Sequence, residues 1–187
     1  MKKLNQVLLL IVVVFLFTQP LKAQKIISNV LETGILRVGM TGTQPPYCTE
    51  SVEGNLIGYE VDLATKIADA IGVELKIVRM PFKELLPSLE ASKIDVIMSG
   101  MTMTTKRNTQ VLFLGPYINS GKSILTMAHV FIEMETTNQL NKNSNKITTL
   151  SGSTSEKFVQ HYMPKAKIFP ENNYDDFLKL LIDGKAD

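Results

Sequence analysis

After residue 34 the chain alternates short apolar runs with stretches whose apolar residues recur every three to four positions. The short runs predict strands and the recurring positions predict the buried faces of helices, because side chains alternate across a strand but repeat about every 3.6 residues on a helix. The predicted strands cover residues 35–39, 73–80, 94–98, 123–130, 146–150 and 166–169. Strands that alternate with helices are typical of an α/β fold with mainly parallel pairing.

Four helical stripes accompany these strands. Their apolar members are Ala64, Ile67, Ala68 and Ile71; Phe82, Leu85, Leu86 and Leu89; Phe158, Val159, Tyr162 and Met163; and Tyr174, Phe177, Leu178 and Leu181. We expect all of them to pack in the core, except Phe82. Pro87 predicts a kink in the second helix or its restriction to the first turns, since proline lacks an amide hydrogen. Ser153 and Glu156 have the spacing of a capping box, and Asn173 is predicted to cap the last helix.

The N-terminus has the pattern of an export signal. Lys2 and Lys3 precede an unbroken apolar run at residues 7–17, and Ala23 offers a small residue for cleavage. A helix that spans a bilayer needs about 20 apolar residues, so this run is short for an anchor. We therefore expect residues 1–23 to be a signal peptide whose removal leaves a periplasmic chain without a lipid anchor. An uncleaved anchor is the alternative.

The elements after the signal form two series, which we expect to be two α/β lobes at residues 24–125 and 126–187. A polar segment at 138–145 is predicted to be a loop. The sequence stops at Asp187, immediately past a predicted helix, where the alternation would place another strand. We therefore expect a second lobe that is incomplete in a truncated chain. A short lobe that closes by itself or by dimerising is the alternative.

Charge and composition exclude several classes of function. The formal net charge is +2, but three lysines lie within residues 1–23, which leaves 17 basic and 18 acidic residues in the rest of the chain. A nearly neutral body gives no electrostatic case for nucleic acid. Cys48 alone cannot form an intramolecular disulfide, and His129 and His161 leave little material for a metal site. We expect a monomer with no cofactor and no metal.

The candidate chemistry lies at residues 97–107, with the sequence IMSGMTMTTKR. Ser99 and Thr102 supply hydroxyls and Arg107 supplies a guanidinium, just after a predicted strand. Arginine can bind a carboxylate through two parallel hydrogen bonds, and hydroxyls can satisfy the remaining lone pairs. The segment is consistent with a carboxylate receptor, although such loops are also commonly solvated surface. The sequence motifs of serine hydrolases, zinc proteases and nucleotide-binding loops are absent.

Almost all of residues 28–187 resemble the polar-amino-acid type of periplasmic solute-binding proteins, solute-binding protein family 3. The resemblance lies in LETGILRVG (31–39), GYEVDLA (58–64), LLPSL (85–89), IDVIMSGMT (94–102), GPY (115–117), GST (152–154) and GKAD (184–187). It implies a periplasmic-binding-protein-like type II fold, in which two α/β lobes close on a small ligand like a flytrap. It also implies delivery of an amino acid or similar small carboxylate to a membrane ABC permease.

The resemblance also implies roles for individual residues. Arg107 matches the arginine that pairs with the ligand α-carboxylate, and Phe82 matches a position that packs against the ligand side chain. Ser99, Gly100 and Thr102 match the first-lobe positions that hold the ligand head group, and Thr154 and Ser155 match the start of the second-lobe helix. Apart from the resemblance, Gln44 and Tyr47 in the loop after the first strand are plausible pocket residues, although for Gln44 a surface turn is the more common situation. The acidic residue that anchors the ligand ammonium in the family would follow Asp187.

Two other functions remain open at this point. Residues 41–42, 121–123, 155–158 and 170–172 resemble the cyclohexadienyl dehydratase branch of the same fold, an enzyme that acts on prephenate or arogenate. In that branch an asparagine replaces Ser155, and the general-acid glutamate would follow Asp187. The third possibility is the sensor lobe of a receptor, but after Phe17 no apolar run of the sequence approaches spanning length.

Overall fold

The computed structural model describes residues 22–127 and 136–187. Its helices and strands are α1 (Lys22–Thr33), β1 (Ile35–Met40), β2 (Thr43–Gln44), β3 (Cys48–Glu50), β4 (Leu56–Ile57), α2 (Tyr59–Ile71), β5 (Glu74–Arg79), α3 (Phe82–Glu90), β6 (Val96–Ile97), α4 (Thr105–Asn108), β7 (Lys146–Leu150), α5 (Thr154–Tyr162), β8 (Lys167–Glu171) and α6 (Tyr174–Ile182). A short 3-10 helix covers Thr137–Leu140. The predicted signal peptide lies outside the described residues, except Lys22 and Ala23 in α1.

The first sheet is parallel, with the strand order β5-β1-β6. Its central strand β1 buries Leu36, Val38 and Met40 on one face, while Arg37 on the other face is partly exposed. Val38 and Met40 are fully buried, and they join Ala64 and Ala68 from α2 in one hydrophobic cluster. A small antiparallel sheet of β2, β3 and β4 follows β1 and contributes the buried Cys48 to the same cluster.

The second sheet is a parallel pair, with Lys146 of β7 opposite Lys167 of β8. Val159 and Met163, from α5 and the residue after it, pack with Leu140 and Ala166 in a separate cluster. At the other edge of β7, Asp187 donates its amide hydrogen to the Lys146 carbonyl and accepts the Lys146 amide hydrogen on its carboxylate. Each of these two sheets therefore has its own hydrophobic cluster, and a third cluster joins Leu150 of β7 to Phe82, Leu85 and Ile94.

Most of the predicted elements are confirmed within a few residues. The six-strand alternation with helices holds except at residues 123–130. Residues 123–127 form no strand, and Ile124 and Leu125 are 61% and 64% exposed. Residues 128–130 lie outside the described part of the chain. A strand needs a partner for its backbone donors and acceptors, and none of the described strands runs beside residues 123–127.

Three local predictions are corrected by the structure. The polar segment at 138–145 begins inside the 3-10 helix, so it is a loop only in part. Ile67, Ile71 and Tyr162 are 40%, 38% and 51% exposed, so these three members of the predicted stripes lie outside the core. Pro87 does not confine α3 to its first turns, since the helix continues to Glu90 and the Pro87 carbonyl accepts the Ala91 amide hydrogen; a kink at Pro87 stays a prediction.

No helix of the described residues is long and apolar enough to cross a membrane. Within the same residues, no group of three or more His, Cys, Asp or Glu side chains is placed to hold a metal ion.

Candidate functional site

The loop after β6 forms the floor of the candidate site. Ser99 is fully buried, and its hydroxyl accepts the Thr41 amide hydrogen at 3.1 Å and donates to the Thr41 hydroxyl at 3.2 Å. These bonds tie the end of β6 to the end of β1. The Ser99 hydroxyl, expected from the sequence to hold a ligand group, is therefore engaged inside the first sheet.

Gly100 lies in the left-handed region, with φ of 57°. A Cβ atom at this position would lie 2.6 Å from Nε2 of Gln44, so both the backbone conformation and the close approach favour glycine. Its amide hydrogen is donated to Oε1 of Glu60 at 2.7 Å. Gly100 lines an open groove, whose walls also include Gln44, Phe82, Thr102, Thr154 and Tyr174. Its amide hydrogen, however, is already bonded to the Glu60 carboxylate.

Arg107 is the central charged group of the site. The short helix α4 places it, because Thr104 caps that helix and accepts the Arg107 amide hydrogen. The residue is only 6% exposed. Nη1 donates to the Thr102 carbonyl at 2.8 Å and Nη2 donates to the Gly152 carbonyl at 3.1 Å. The guanidinium therefore bridges the loop after β6 and the loop after β7.

The Arg107 guanidinium has no carboxylate within 4.0 Å among the described residues. Its carbon Cζ lies 5.6 Å from the centre of the Phe82 ring, within the range of a cation–π interaction. Burial lowers the pKa of Arg107, although arginine stays protonated in proteins. A buried cation held only by neutral carbonyl oxygens and an aromatic ring is a favourable place for an anion.

Phe82 has two roles in the structure. It is nearly fully buried and packs with Leu85, Ile94 and Leu150, so it belongs to the core after all. It also lines the groove and lies against the Arg107 guanidinium. Phe82 therefore belongs to the core and also lines the groove, so it can still contact a bound ligand.

The loop after β7 supplies the opposite side of the site. Gly152 has a φ of 77°, and a Cβ atom there would lie 3.0 Å from Cβ of Lys83. Its amide hydrogen is donated to Glu156, and the Ser153 hydroxyl accepts the Glu156 amide hydrogen. The predicted capping box is therefore half formed, with the Glu156 carboxylate on Gly152 instead of Ser153. This geometry brings the Gly152 carbonyl to Arg107.

Thr154 and Ser155 begin helix α5. The Thr154 hydroxyl accepts a hydrogen bond from Lys122 at 3.0 Å and lies 3.5 Å from the Thr102 hydroxyl. Ser155 is exposed and lines the same groove. The structure thus brings Thr102, Arg107 and Thr154 together from both loops, with Ser155 at the rim.

A second contact joins the two sides at Gln44 and Tyr174. Nε2 of Gln44 donates to the Tyr174 hydroxyl at 3.2 Å, and the Tyr174 ring packs against the cluster that contains Phe82. Oε1 of Gln44 is buried without a hydrogen-bond partner among the described residues. Burial raises the pKa of Tyr174, and the nearby Tyr47 adds to the shift. Gln44 and Tyr47 both line the groove, so Gln44 is more than a surface-turn residue.

A smaller cavity of about 250 Å³ lies beside Arg107. Three exposed lysines, Lys83, Lys106 and Lys157, line it together with Arg107. The cavity has no carboxylate side chain in its lining. The surroundings of the buried guanidinium are therefore basic on this side.

Sequence reasoning did not single out Glu60, Tyr117 or Tyr174 as parts of the site. Glu60 has the sequence context of an ordinary acidic residue in the first turn of a helix, where a carboxylate is favoured by the helix dipole. Tyr174 belongs to an apolar helical stripe. Only the tertiary structure reveals that their polar atoms meet Gly100 and Gln44.

The fold has close counterparts among solved structures. ArgBP from T. maritima matches with a TM-score of 0.81 at 36% identity, covering 87% of this chain and 69% of that one. An ancestral amino-acid-binding protein, described as a precursor of cyclohexadienyl dehydratase, matches with a TM-score of 0.81 at 31% identity, with 86% and 70% covered. The class of protein is therefore the two-lobed, periplasmic-binding-protein-like type II fold, and this chain covers about 70% of these solved examples.

The family follows from the sequence comparison. Residues 36–184 match the model of the bacterial extracellular solute-binding proteins, family 3, and the chain belongs to that family. The cyclohexadienyl dehydratase of Pseudomonas aeruginosa is 29% identical over 161 residues, which are 86% of this chain and 60% of that protein. The histidine-binding periplasmic protein of Salmonella typhimurium is 28% identical over 154 residues, with 81% and 58% covered. The chain thus spans about 60% of the length of these curated relatives.

Proposed function

We propose that this chain captures an amino acid or a similar small carboxylate outside the cytoplasm for an ABC-type permease. The observation that carries the proposal is the buried Arg107 guanidinium, which lies between two loops without a carboxylate partner among the described residues. A ligand carboxylate would supply the missing negative charge through two parallel hydrogen bonds. Relatives named as binding histidine and arginine support an amino-acid ligand.

The position of Arg107 also supports closure around the ligand. Nη1 contacts the Thr102 carbonyl on the first side and Nη2 contacts the Gly152 carbonyl on the second. A ligand held by the guanidinium would therefore touch both sides at once. Contacts of this kind favour the closed state over the open one, because a ligand shifts a conformational equilibrium only by its differential affinity. The boundary between the two lobes, between residues 125 and 126, is part of this proposal.

The residues proposed to hold the ligand are those around the guanidinium. Arg107 would bind the carboxylate, the Thr102 and Thr154 hydroxyls would complete its hydrogen bonding, and Phe82 would pack against the ligand. Ser155 would contribute at the rim. Gly100 would act through its lack of a side chain, which keeps the groove open. Ser99 would support the loop through its bond to Thr41.

The test is calorimetric titration of the purified chain with arginine, lysine, histidine, cystine and glutamate. At least one of them should bind, and Arg107→Ala should weaken that binding by about 2–5 kcal/mol, the usual cost of removing one partner of a buried charged pair. Lys66→Ala removes an exposed cation from α2, outside the groove and the cavity, and should leave the affinity within about threefold. Equal affinity of the wild type and Arg107→Ala would place the site elsewhere.

A second candidate function is catalysis of the cyclohexadienyl dehydratase type. It is favoured by the 29% identity to the Pseudomonas aeruginosa dehydratase over 86% of this chain. Prephenate and arogenate carry carboxylates that suit the basic surroundings of Arg107. Incubation with prephenate, followed by the absorbance of phenylpyruvate, separates the two candidates: turnover that Arg107→Ala abolishes would favour the enzyme.

A further inference from the structure

Glu60 is a buried carboxylate with no cation beside it. The residue has 0% exposure in the first turn of α2, and among the described residues no Lys, Arg or His nitrogen lies within 4.0 Å of its carboxylate. Burying an acidic group without a cation is unfavourable unless hydrogen bonds compensate. The bonds that Glu60 does make therefore determine what it contributes.

One carboxylate oxygen of Glu60 joins three parts of the chain. Oε1 accepts the Gly100 amide hydrogen at 2.7 Å and the Tyr117 hydroxyl hydrogen. Oε2 is buried without a hydrogen-bond partner among the described residues. The carboxylate thus connects α2, the loop after β6 and the segment after α4 that carries Tyr117. Within the described residues, that segment has no regular secondary structure between α4 and residue 127.

The bond to Gly100 lies two residues from the atom that holds the guanidinium. The Thr102 carbonyl accepts from Nη1 of Arg107, and only Met101 separates Thr102 from Gly100. Fixing the Gly100 amide therefore fixes the start of the short backbone stretch that orients Arg107. A binding group is placed precisely only when the residues that support it are themselves fixed by packing and hydrogen bonds.

We propose that Glu60 is the positioning residue of the anion receptor: by holding the Gly100 amide and the Tyr117 hydroxyl, it fixes the loop whose Thr102 carbonyl orients Arg107. The effect of Glu60 on ligand binding rests on the proposed function, whereas its effect on the loop does not. What Glu60 supplies is an oxygen acceptor at the correct reach. A negative charge is not required, and burial raises the pKa of Glu60 against the opposing effect of its two hydrogen bonds.

Amide hydrogen exchange and the NMR signal of the Arg107 Nε–H group test the proposal in the ligand-free chain. Glu60→Gln keeps an oxygen at the same reach and should leave Gly100 exchange within about threefold of the wild type. Glu60→Asp keeps the charge but withdraws the carboxylate by about 1.5 Å, one carbon–carbon bond. It should accelerate Gly100 exchange roughly ten- to hundredfold, the factor expected for a lost bond to a carboxylate, and shift the Arg107 signal.

The controls separate positioning from general stability. Asp62→Ala removes an exposed acid from the same helix and should leave both signals unchanged. Amides of β1 should keep their exchange rates in Glu60→Asp, because only the loop loses its anchor. Uniform acceleration across β1 and the loop would mean that Glu60 is merely structural and would overturn the proposal, as would an unchanged Gly100 amide in Glu60→Asp.

Ligand titration with arginine and histidine then distinguishes this inference from the proposed function. Binding that weakens about tenfold in Glu60→Asp and is retained in Glu60→Gln supports both. If the wild type binds no amino acid, the proposed function fails, while the exchange data still decide the role of Glu60. If Glu60→Asp binds as tightly as the wild type, the positioning role in ligand binding is refuted although the function stands.

Discussion

At the scale of single residues, the strongest charged contact of the first sheet joins Arg37 and Asp95. Nε and Nη2 of Arg37 donate to the two oxygens of Asp95 at 2.9 and 2.6 Å, and the Arg37 amide adds a third bond at 2.9 Å. Asp95 is buried and lies just before β6, whereas Arg37 is partly exposed in β1. The pair therefore attaches the strand that leads into the binding loop to the centre of the sheet.

Asp95→Ala should lower the free energy of unfolding by about 1–2 kcal/mol, because Arg37 loses a charge-assisted acceptor for its amide and guanidinium, while water still reaches the partly exposed Arg37 side chain. Chemical denaturation monitored by circular dichroism measures the change. The matched control is Glu50→Ala, which breaks the exposed pair of Glu50 with Arg79 and should cost less than about 1 kcal/mol. Similar losses in both variants would show that the Asp95 contact adds nothing beyond a surface pair.

The residues of the candidate site could be predicted from the sequence to different degrees. The guanidinium of Arg107 and the hydroxyls of Thr102 and Thr154 stand in local sequence patterns that indicate anion binding, and the structure brings them together. The partners of Ser99 and Glu60 were not predictable. Each of their bonds spans 40 or more positions of the chain, so it depends on how β1, α2 and the loop after β6 pack in three dimensions.

At the scale of elements, local capping patterns were the most reliable guide. Asn173 was expected to cap the last helix, and its side chain accepts the Asp176 amide hydrogen at 2.8 Å. The strand predicted at residues 123–130 is absent over residues 123–127, because an apolar run shows only that a strand is possible. Whether a neighbouring strand is present to complete its hydrogen bonds is a property of the whole sheet.

Asn173→Ala should destabilise the chain by about 1 kcal/mol, since the first amide groups of α6 lose their acceptor. Thermal unfolding followed by circular dichroism reports the loss as a lower Tm. Asn172→Ala changes the exposed neighbouring residue and should leave the Tm unchanged. The expectation is contradicted if the two asparagine variants melt at the same temperature.

At the scale of the whole molecule, two tyrosines whose hydroxyl groups are hydrogen-bonded, Tyr117 and Tyr174, make stability depend on alkaline pH. Burial and the Glu60 carboxylate raise the pKa of Tyr117 above its ordinary value of 10.0, so the folded chain resists ionisation of a group that ionises freely once unfolded. The contribution of Tyr117 is therefore fully present below pH 10 and is lost as the pH rises further towards the folded value. Tyr174, whose pKa is also raised by burial, acts in the same direction.

The Tm of the wild type should accordingly fall above about pH 10, and Tyr117→Phe should make that fall shallower. Scanning calorimetry between pH 8 and pH 11 gives the comparison. Tyr162→Phe alters an exposed ring and should follow the wild-type profile. Identical profiles of Tyr117→Phe and the wild type would mean that Glu60 does not hold the Tyr117 hydroxyl in solution.

The bonds from Arg107 to Thr102 and Gly152 have a consequence for selectivity. Nη1 and Nη2 each donate one hydrogen to a peptide oxygen, which leaves three of the five N–H donors of the guanidinium unused among the described residues. Both acceptors are neutral, so they leave the positive charge uncancelled. A free acid would bring the opposite charge to the remaining donors, whereas the same compound blocked as an amide would bring only another neutral oxygen. Free acids should therefore be preferred to their amides.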